Sequence, residues 1–96
     1  MSKYEIMFIV RPDMEEAEIR KTAEDMKKVL TDKKANILEE KALGQRELAY
    51  EIKKCKSGFY YLYNIESNDD AAVKEFKRLA KIEENVIRDL VINLDK

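Results

Sequence analysis

The chain has 96 residues and a formal net charge of −1, so it is expected to form one domain, residues 1–96, and not a disordered charged tail. Its apolar fraction of 45% is enough for a core, while its charged fraction of 41% requires an unusually ionic surface. A single cysteine excludes a disulfide scaffold, and no apolar run approaches the roughly 20 residues that cross a bilayer, so we predict a soluble, cytoplasmic protein.

A strand and a helix are predicted first along the chain. Residues 4–10 are rich in apolar and β-branched side chains, and Pro12 follows them closely. Asp13 is the predicted N-cap of the helix, with Glu16 three residues later completing a capping box. The apolar stripe of this helix repeats at helical spacing and consists of Ile19, Ala23, Met26 and Leu30.

A long β-hairpin is predicted from residue 35 to residue 65. Leu48, Tyr50 and Ile52 are large apolar residues that alternate with Ala49 and Glu51, and we place Leu48 and Tyr50 in or near the core. Gly44 interrupts the first strand and predicts a bulge. Residues 53–58 are predicted to form a polar turn, in which Cys55 is a thiol without a role, and residues 59–65 form the returning strand.

The last two elements are a second helix and a final strand. Polar residues 67–70 are typical of a helix start, residues 83–85 break the pattern, and residues 86–94 form the strand. The helix is indicated by apolar residues at helical spacing: Ala72, Val73, Phe76, Leu79 and Ala80. The order β-α-β-β-α-β predicts an α+β ferredoxin-like fold, the split βαβ arrangement, with a four-stranded antiparallel sheet and both helices on one face.

Both faces of the predicted sheet carry large apolar side chains. In the first strand one face has Tyr4, Ile6, Phe8 and Val10, and the other has Met7 and Ile9. In the third strand Phe59, Tyr61, Tyr63 and Ile65 oppose Tyr60 and Leu62, and in the last strand Leu90 and Ile92 oppose Ile87 and Val91. Since the helices cover one face only, we interpret the other as a partner surface, in preference to apolar residues shielded by Lys and Glu stems.

Basic residues concentrate at the predicted hairpin turn. Lys53, Lys54 and Lys56 lie in a stretch, residues 52–65, that contains no acidic residue, and Tyr60 and Tyr61 follow closely. Lysines bind phosphates and aromatic rings stack on bases, so this combination is compatible with RNA contact, although a turn with three lysines is more often simply solvated. The balanced overall charge indicates that RNA binding would need a basic co-binder.

Catalysis is not indicated by any motif. Histidine, the commonest general base and metal ligand, is absent, and Cys55 has lysine neighbours but no base beside it in sequence. The only glycines are Gly44 and Gly58, so no glycine-rich phosphate loop exists. We therefore predict that the protein is not an enzyme and holds no metal or cofactor.

One stretch of the chain is specific enough to indicate a family. Residues 44–52 (Gly-Gln-Arg-Glu-Leu-Ala-Tyr-Glu-Ile), the lysines that follow, and Gly58-Phe59-Tyr60 resemble the signature of the sixth protein of the bacterial small ribosomal subunit. The opening Tyr4-Glu5 and the closing residues 84–88 are similar to that family's first and last strands. The resemblance implies a structural ribosomal protein that binds the central domain of small-subunit rRNA as a heterodimer with the basic eighteenth small-subunit protein.

Carried over by position, the resemblance and the lysine cluster name two sets of contact residues. The predicted RNA contacts are Lys3, Tyr4, Lys53, Lys54, Lys56 and Arg88. The predicted protein contacts are Met7, Ile9, Arg46, Tyr60, Leu62, Leu90 and Ile92. For Arg46 two alternatives stay open, which are contact with the RNA and the role of a charge that prevents sheet-to-sheet aggregation.

Three alternatives share the predicted topology. A free RNA-recognition-motif-like domain would bind RNA alone, but its Gly-Phe-aromatic strand signature is missing and the chain is not basic. A regulatory homodimer would use the open sheet face for self-association. An acylphosphatase-like hydrolase is suggested only by Arg11 after the first strand.

Overall fold

The computed structural model describes residues 2–94, which form the predicted sequence of elements. In chain order these are β1 Ser2–Val10, α1 Glu16–Asp32, β2 Asn36–Ile52, β3 Cys55–Ser67, α2 Ala71–Ile82 and β4 Val86–Asn93. The four strands form one antiparallel sheet in the order β2-β3-β1-β4. The ferredoxin-like fold predicted from the sequence is therefore confirmed.

The main core lies between the helices and one face of the sheet. The predicted stripe of α1 is buried in full, and it packs against the alternate residues of β1 that begin with Tyr4. Phe8 lies at the centre of this core, where its ring stacks on Tyr61 at 5.3 Å and meets Tyr63 edge-on at 5.6 Å. Burial of a side chain of this size stabilises the fold by about 1.5–3 kcal/mol. The opposite face of the sheet has no helix over it, and we call it the open face.

The start of α1 differs from the prediction. The helix begins at Glu16 after Glu15, whose side chain makes no capping hydrogen bond. Asp13 is instead held by Arg11, with Nε and Nη2 donating to Oδ1 and Oδ2 at 2.7 and 3.0 Å. This paired hydrogen bond lowers the pKa of Asp13, and it occupies both carboxylate oxygens. The predicted capping box is therefore wrong, because a guanidinium competes with the helix amides for the same acceptor.

The hairpin turn is shorter than predicted. Ile52 pairs with Cys55, so the turn consists of Lys53 and Lys54 alone, with φ of 47° and 66°. Positive φ at both central residues is the geometry of a type I′ turn, whose twist matches that of the strands. The predicted six-residue turn is therefore wrong, and β3 begins at Cys55.

Within residues 2–94 the register shifts in both edge strands of the sheet, three times in β2 and once in β4. The predicted bulge in β2 is confirmed, since the register with β3 shifts between Ala42 and Gly44, and Gly44 has φ of 84°. The other shifts were not predicted. In β4, Val10 pairs with Val86 but Ile9 pairs with Arg88. The extra residue, Ile87, packs with Ile9, so the prediction that Ile87 shares a face with Val91 is wrong.

Candidate nucleic-acid and protein interface

Most of the predicted protein contacts meet on the open face. Met7 pairs with Leu62 on one side and Leu90 on the other, and Glu5 pairs with Ile92. Directly opposed residues of antiparallel strands share a face, so the four apolar side chains form one patch. Leu90 and Ile92 are 46% and 42% exposed. We call Met7, Leu62, Leu90 and Ile92 the apolar patch.

The end of the hairpin lies over the same face and covers part of it. We call residues 44–58 the hairpin arm. Ile9, Cys55 and Ile87 are buried in a second, smaller cluster, and Leu48, Ile52 and Tyr60 pack against them. Cys55 is thus a buried side chain that anchors the arm, which corrects its prediction as a turn thiol without a role. Ile9 is only 3% exposed, so the arm already occupies this predicted partner contact.

Tyr50 makes a contact that the sequence pattern did not reveal. It was predicted in or near the core, but it is 61% exposed. Its hydroxyl accepts a hydrogen bond from Nη1 of Arg88, and the guanidinium carbon lies 5.9 Å from the centre of the ring. Leu48, Tyr50 and Ile52 line the same groove, as their alternation indicates. The pattern does not predict which of them are buried and which are exposed.

The predicted RNA contacts of the hairpin form an exposed basic end. Lys53 and Lys54 occupy the turn, and Lys56 lines a cleft with Glu47 and Tyr50. Within residues 2–94, no carboxylate forms an ion pair with any of the three lysines. We call Lys53, Lys54, Lys56 and Arg88 the basic end of the open face.

Arg46 also belongs to the hairpin arm, in the part that β2 contributes. It is exposed and pairs with Gly58 of β3, just before the register shift that separates Glu47 from Ile52. Among residues 2–94 it has no carboxylate partner. Its position extends the basic end of the open face toward the edge of the sheet, and does not bring it to the apolar patch.

Two predicted RNA contacts lie elsewhere. Tyr4 is 8% exposed and belongs to the main core on the helix side, so its side chain is not available to RNA. Lys3 is exposed and pairs with Glu66, at the opposite end of β1 from the hairpin arm. The structure therefore does not bring Lys3 and Tyr4 to the basic end.

Carboxylates lie at the end of the open face that is remote from the hairpin arm. Glu5, Glu39 and Glu66 occupy neighbouring strands there, with Glu5 opposite Asn64 and Glu39 opposite the same residue. Lys41 is paired with Glu39 at 2.8 Å, and this hydrogen bond raises the pKa of Lys41. The open face therefore has a basic end, an apolar patch and an end of mixed charge, where Lys3 and Lys41 lie among the three carboxylates.

The described part of the chain contains no cluster of metal ligands and no helix that could span a membrane. Among residues 2–94, no three Cys, Asp or Glu side chains come together as metal ligands. Neither of the two helices in this range has the length and hydropathy of a membrane-spanning segment.

Comparisons with known proteins agree on one family. A family model described as Ribosomal protein S6 matches residues 3–93. Among solved structures, the chain is similar to the 30S ribosomal protein S6 of Thermotoga maritima, with a TM-score of 0.90 and 29% sequence identity. The match covers 96% of this chain and 86% of that chain.

Proposed function

This chain belongs to the ribosomal protein S6 family, and we propose that within the small ribosomal subunit it binds the central domain of small-subunit rRNA together with the basic eighteenth small-subunit protein. In this proposal it is a structural constituent of cytoplasmic ribosomes and not an enzyme. Family membership supports a small-subunit ribosomal protein. The contacts with rRNA and with the second protein are argued from the open face.

The observation that carries the proposal is the polarity of that face. Four basic side chains lie at one end, next to exposed apolar residues such as Leu90 and Ile92. Basic side chains without carboxylate partners keep their charge for phosphates, whereas an exposed apolar patch is stabilised by another protein surface. Two different ligands are therefore expected on one face, side by side.

The protein partner is assigned to the apolar patch. Met7 and Leu62 lie at its centre, on the two inner strands, and Leu90 and Ile92 extend it to the edge strand β4. Glu5 lies beside Ile92 in the pairing of β1 with β4. A basic partner would place its own apolar residues on the patch and its positive charges near Glu5, so that the interface is complementary in charge.

The RNA is assigned to the basic end. Lys53, Lys54, Lys56 and Arg88 are exposed cations that would contact phosphates and set the position of the protein, while the shape of the folded RNA supplies the specificity. A net charge of −1 makes this site too weak to hold RNA tightly alone. Joint binding with a basic protein then makes assembly cooperative, because each component completes a surface for the others.

A gel-shift experiment with central-domain rRNA tests the proposal. The RNA is mixed with this chain, with the eighteenth protein, and with both, at one fixed salt concentration. A stable complex only when both proteins are present is the expected result. No complex in any mixture would overturn the ribosomal assignment of the open face, and tight binding by this chain alone would favour the RNA-recognition-motif-like alternative.

A further inference from the structure

The contact between Tyr50 and Arg88 joins the two edges of the sheet. Tyr50 belongs to β2 and Arg88 to β4, which are the outermost strands in the order β2-β3-β1-β4. They meet because the hairpin arm crosses over the open face above β1. Beneath the crossing lies a groove of about 310 Å³, which is lined in part by Met7, Ile9 and Leu90. The contact thus adds a polar attachment to the far edge, beside the packing of Leu48 and Ile52 on the cluster that contains Ile87.

Arg88 is held in this contact by an uncharged partner, the Tyr50 hydroxyl. The guanidinium has five N–H donors, and only the hydrogen bond to the Tyr50 hydroxyl is made to a side chain within residues 2–94. Its face is turned toward the aromatic ring, an arrangement that adds a cation–π attraction. A carboxylate at residue 50 would hold the guanidinium equally well but would neutralise it. A phenol orients the cation and leaves its remaining donors for an anion.

Orientation before binding changes the affinity of such a cation. An exposed arginine samples many rotamers, and a phosphate that binds it must first restrict them. Tyr50 already restricts Arg88 in the free protein, so less entropy is lost when the phosphate arrives. The turn lysines, Lys53 and Lys54, lie on the same arm, so the hydrogen bond and the apolar cluster together limit their movement relative to β4.

We propose that Tyr50 is a positioning residue for RNA binding, which orients the Arg88 guanidinium toward an RNA phosphate and fixes the hairpin arm over the open face. This inference rests on the proposed function, because it assigns a role within the RNA site of that proposal. Tyr50 itself does not contact the phosphate in this arrangement. Its effect on RNA passes through Arg88.

A double-mutant cycle separates this role from a general effect on stability. RNA affinity is measured, in the presence of the eighteenth protein and over a range of salt, for wild type, Tyr50→Phe, Arg88→Gln and the double variant. Tyr50→Phe is expected to weaken binding about 3- to 10-fold with an unchanged salt slope. Arg88→Gln is expected to reduce the slope by about one, and Tyr50→Phe should cause no further loss in its presence.

Hydrogen exchange and a matched control complete the experiment. Amides of residues 45–57 should exchange faster in Tyr50→Phe than in wild type, whereas those of β1 should not. Tyr61→Phe removes a hydroxyl on the helix side and should leave RNA affinity unchanged. If Tyr50→Phe weakens RNA binding by the same factor in wild type and in the Arg88→Gln background, the inference is overturned while the proposed function stands. If wild type does not bind RNA even with the eighteenth protein, both the inference and the proposed function are overturned.

Discussion

Gly58 of β3 lies directly against Ile9 of β1, since a Cβ atom built at Gly58 would stand 2.3 Å from Cγ2 of Ile9. The carbonyl oxygen of Val10 would lie 3.2 Å from that added Cβ atom. No larger side chain fits here without movement, because Ile9 is held in the small cluster under the hairpin arm. This close approach is where the arm is seated on the sheet.

Gly58→Ala is therefore expected to lower the free energy of unfolding by about 1–3 kcal/mol through overpacking. Urea denaturation of the purified protein measures the loss. In an Ile9→Ala background the same substitution should cost less, because the clashing methyl group is gone. Equal costs in the two backgrounds would show that the contact with Ile9 is not the cause.

Gly44 should respond to substitution for a different reason. It has φ of 84° at the β2 bulge, and a Cβ atom there would have no heavy atom within 4 Å. Gly44→Ala is expected to cost about 1–2 kcal/mol because of the left-handed backbone alone. Gly44→Asn should cost less, since asparagine populates this region more readily. Thermal denaturation of both variants checks the order, and a larger loss for Asn would contradict it.

Substitution of the two turn residues is expected to increase the stability of the protein. Lys53 and Lys54 both have positive φ, which is unfavourable for lysine, whereas Asn-Gly is the preferred pair in a type I′ turn. The variant Lys53→Asn with Lys54→Gly should raise the free energy of unfolding by about 1 kcal/mol. Its RNA affinity should fall, because two cations are lost from the basic end. A variant that is less stable than wild type would contradict the assigned turn geometry.

Charge reversal at the basic end should separate RNA binding from protein binding. Lys54→Glu with Lys56→Glu is expected to weaken RNA binding at least about 10-fold at physiological salt, because phosphates then face carboxylates. Association with the eighteenth protein should remain intact, as these residues lie outside the apolar patch. Gel shift measures the first effect and size-exclusion chromatography the second. The control is Lys77→Glu with Lys81→Glu on α2, where both lysines are exposed and the change in charge is the same. Equal loss in the control would remove the hairpin from the RNA site.

Tyr63 should make the fold sensitive to high pH. Burial raises the pKa of its phenol above the ordinary value, and its hydroxyl donates to the carbonyl oxygen of Ala23 at 3.4 Å. The unfolded chain releases this proton near pH 10, while the folded protein retains it, so stability is full below pH 10 and falls as the pH rises above it. Tyr63→Phe should lose less stability than wild type between about pH 9 and pH 11. Parallel stability curves would contradict the prediction.

The sequence predicted the architecture because local patterns are sufficient for it. The stripe from Ile19 to Leu30 has the spacing of a helix, and alternation in β1 assigns Phe8 and Met7 to opposite faces. The bulge in β2 was predicted from Gly44, because few other residues tolerate φ of 84°. Where several partners compete, local reasoning failed: Asp13 was predicted to cap α1, but Arg11 binds it.

Part of the interface was also predicted, because it too depends on a local pattern, the alternation of side chains along each strand. Met7, Leu62, Leu90 and Ile92 were assigned to the uncovered face by strand alternation, and strand pairing brings them together. The burial of Ile9 and Cys55 under the hairpin arm was not foreseen, and neither was the exposure of Tyr50. Tyr4 was named by resemblance and lies in the main core.

By itself the sequence determined the order of the elements, the helix-facing core and the concentration of lysines at the hairpin, because each depends on the spacing of neighbouring residues. Only the tertiary structure decided what the open face presents. A single extra residue in β4 turns Ile87 toward Ile9, and a two-residue turn brings Cys55 into the sheet. The contact between Tyr50 and Arg88 spans 38 residues of chain and two intervening strands. Such a contact depends on the twist and register of the whole sheet, which no local pattern encodes.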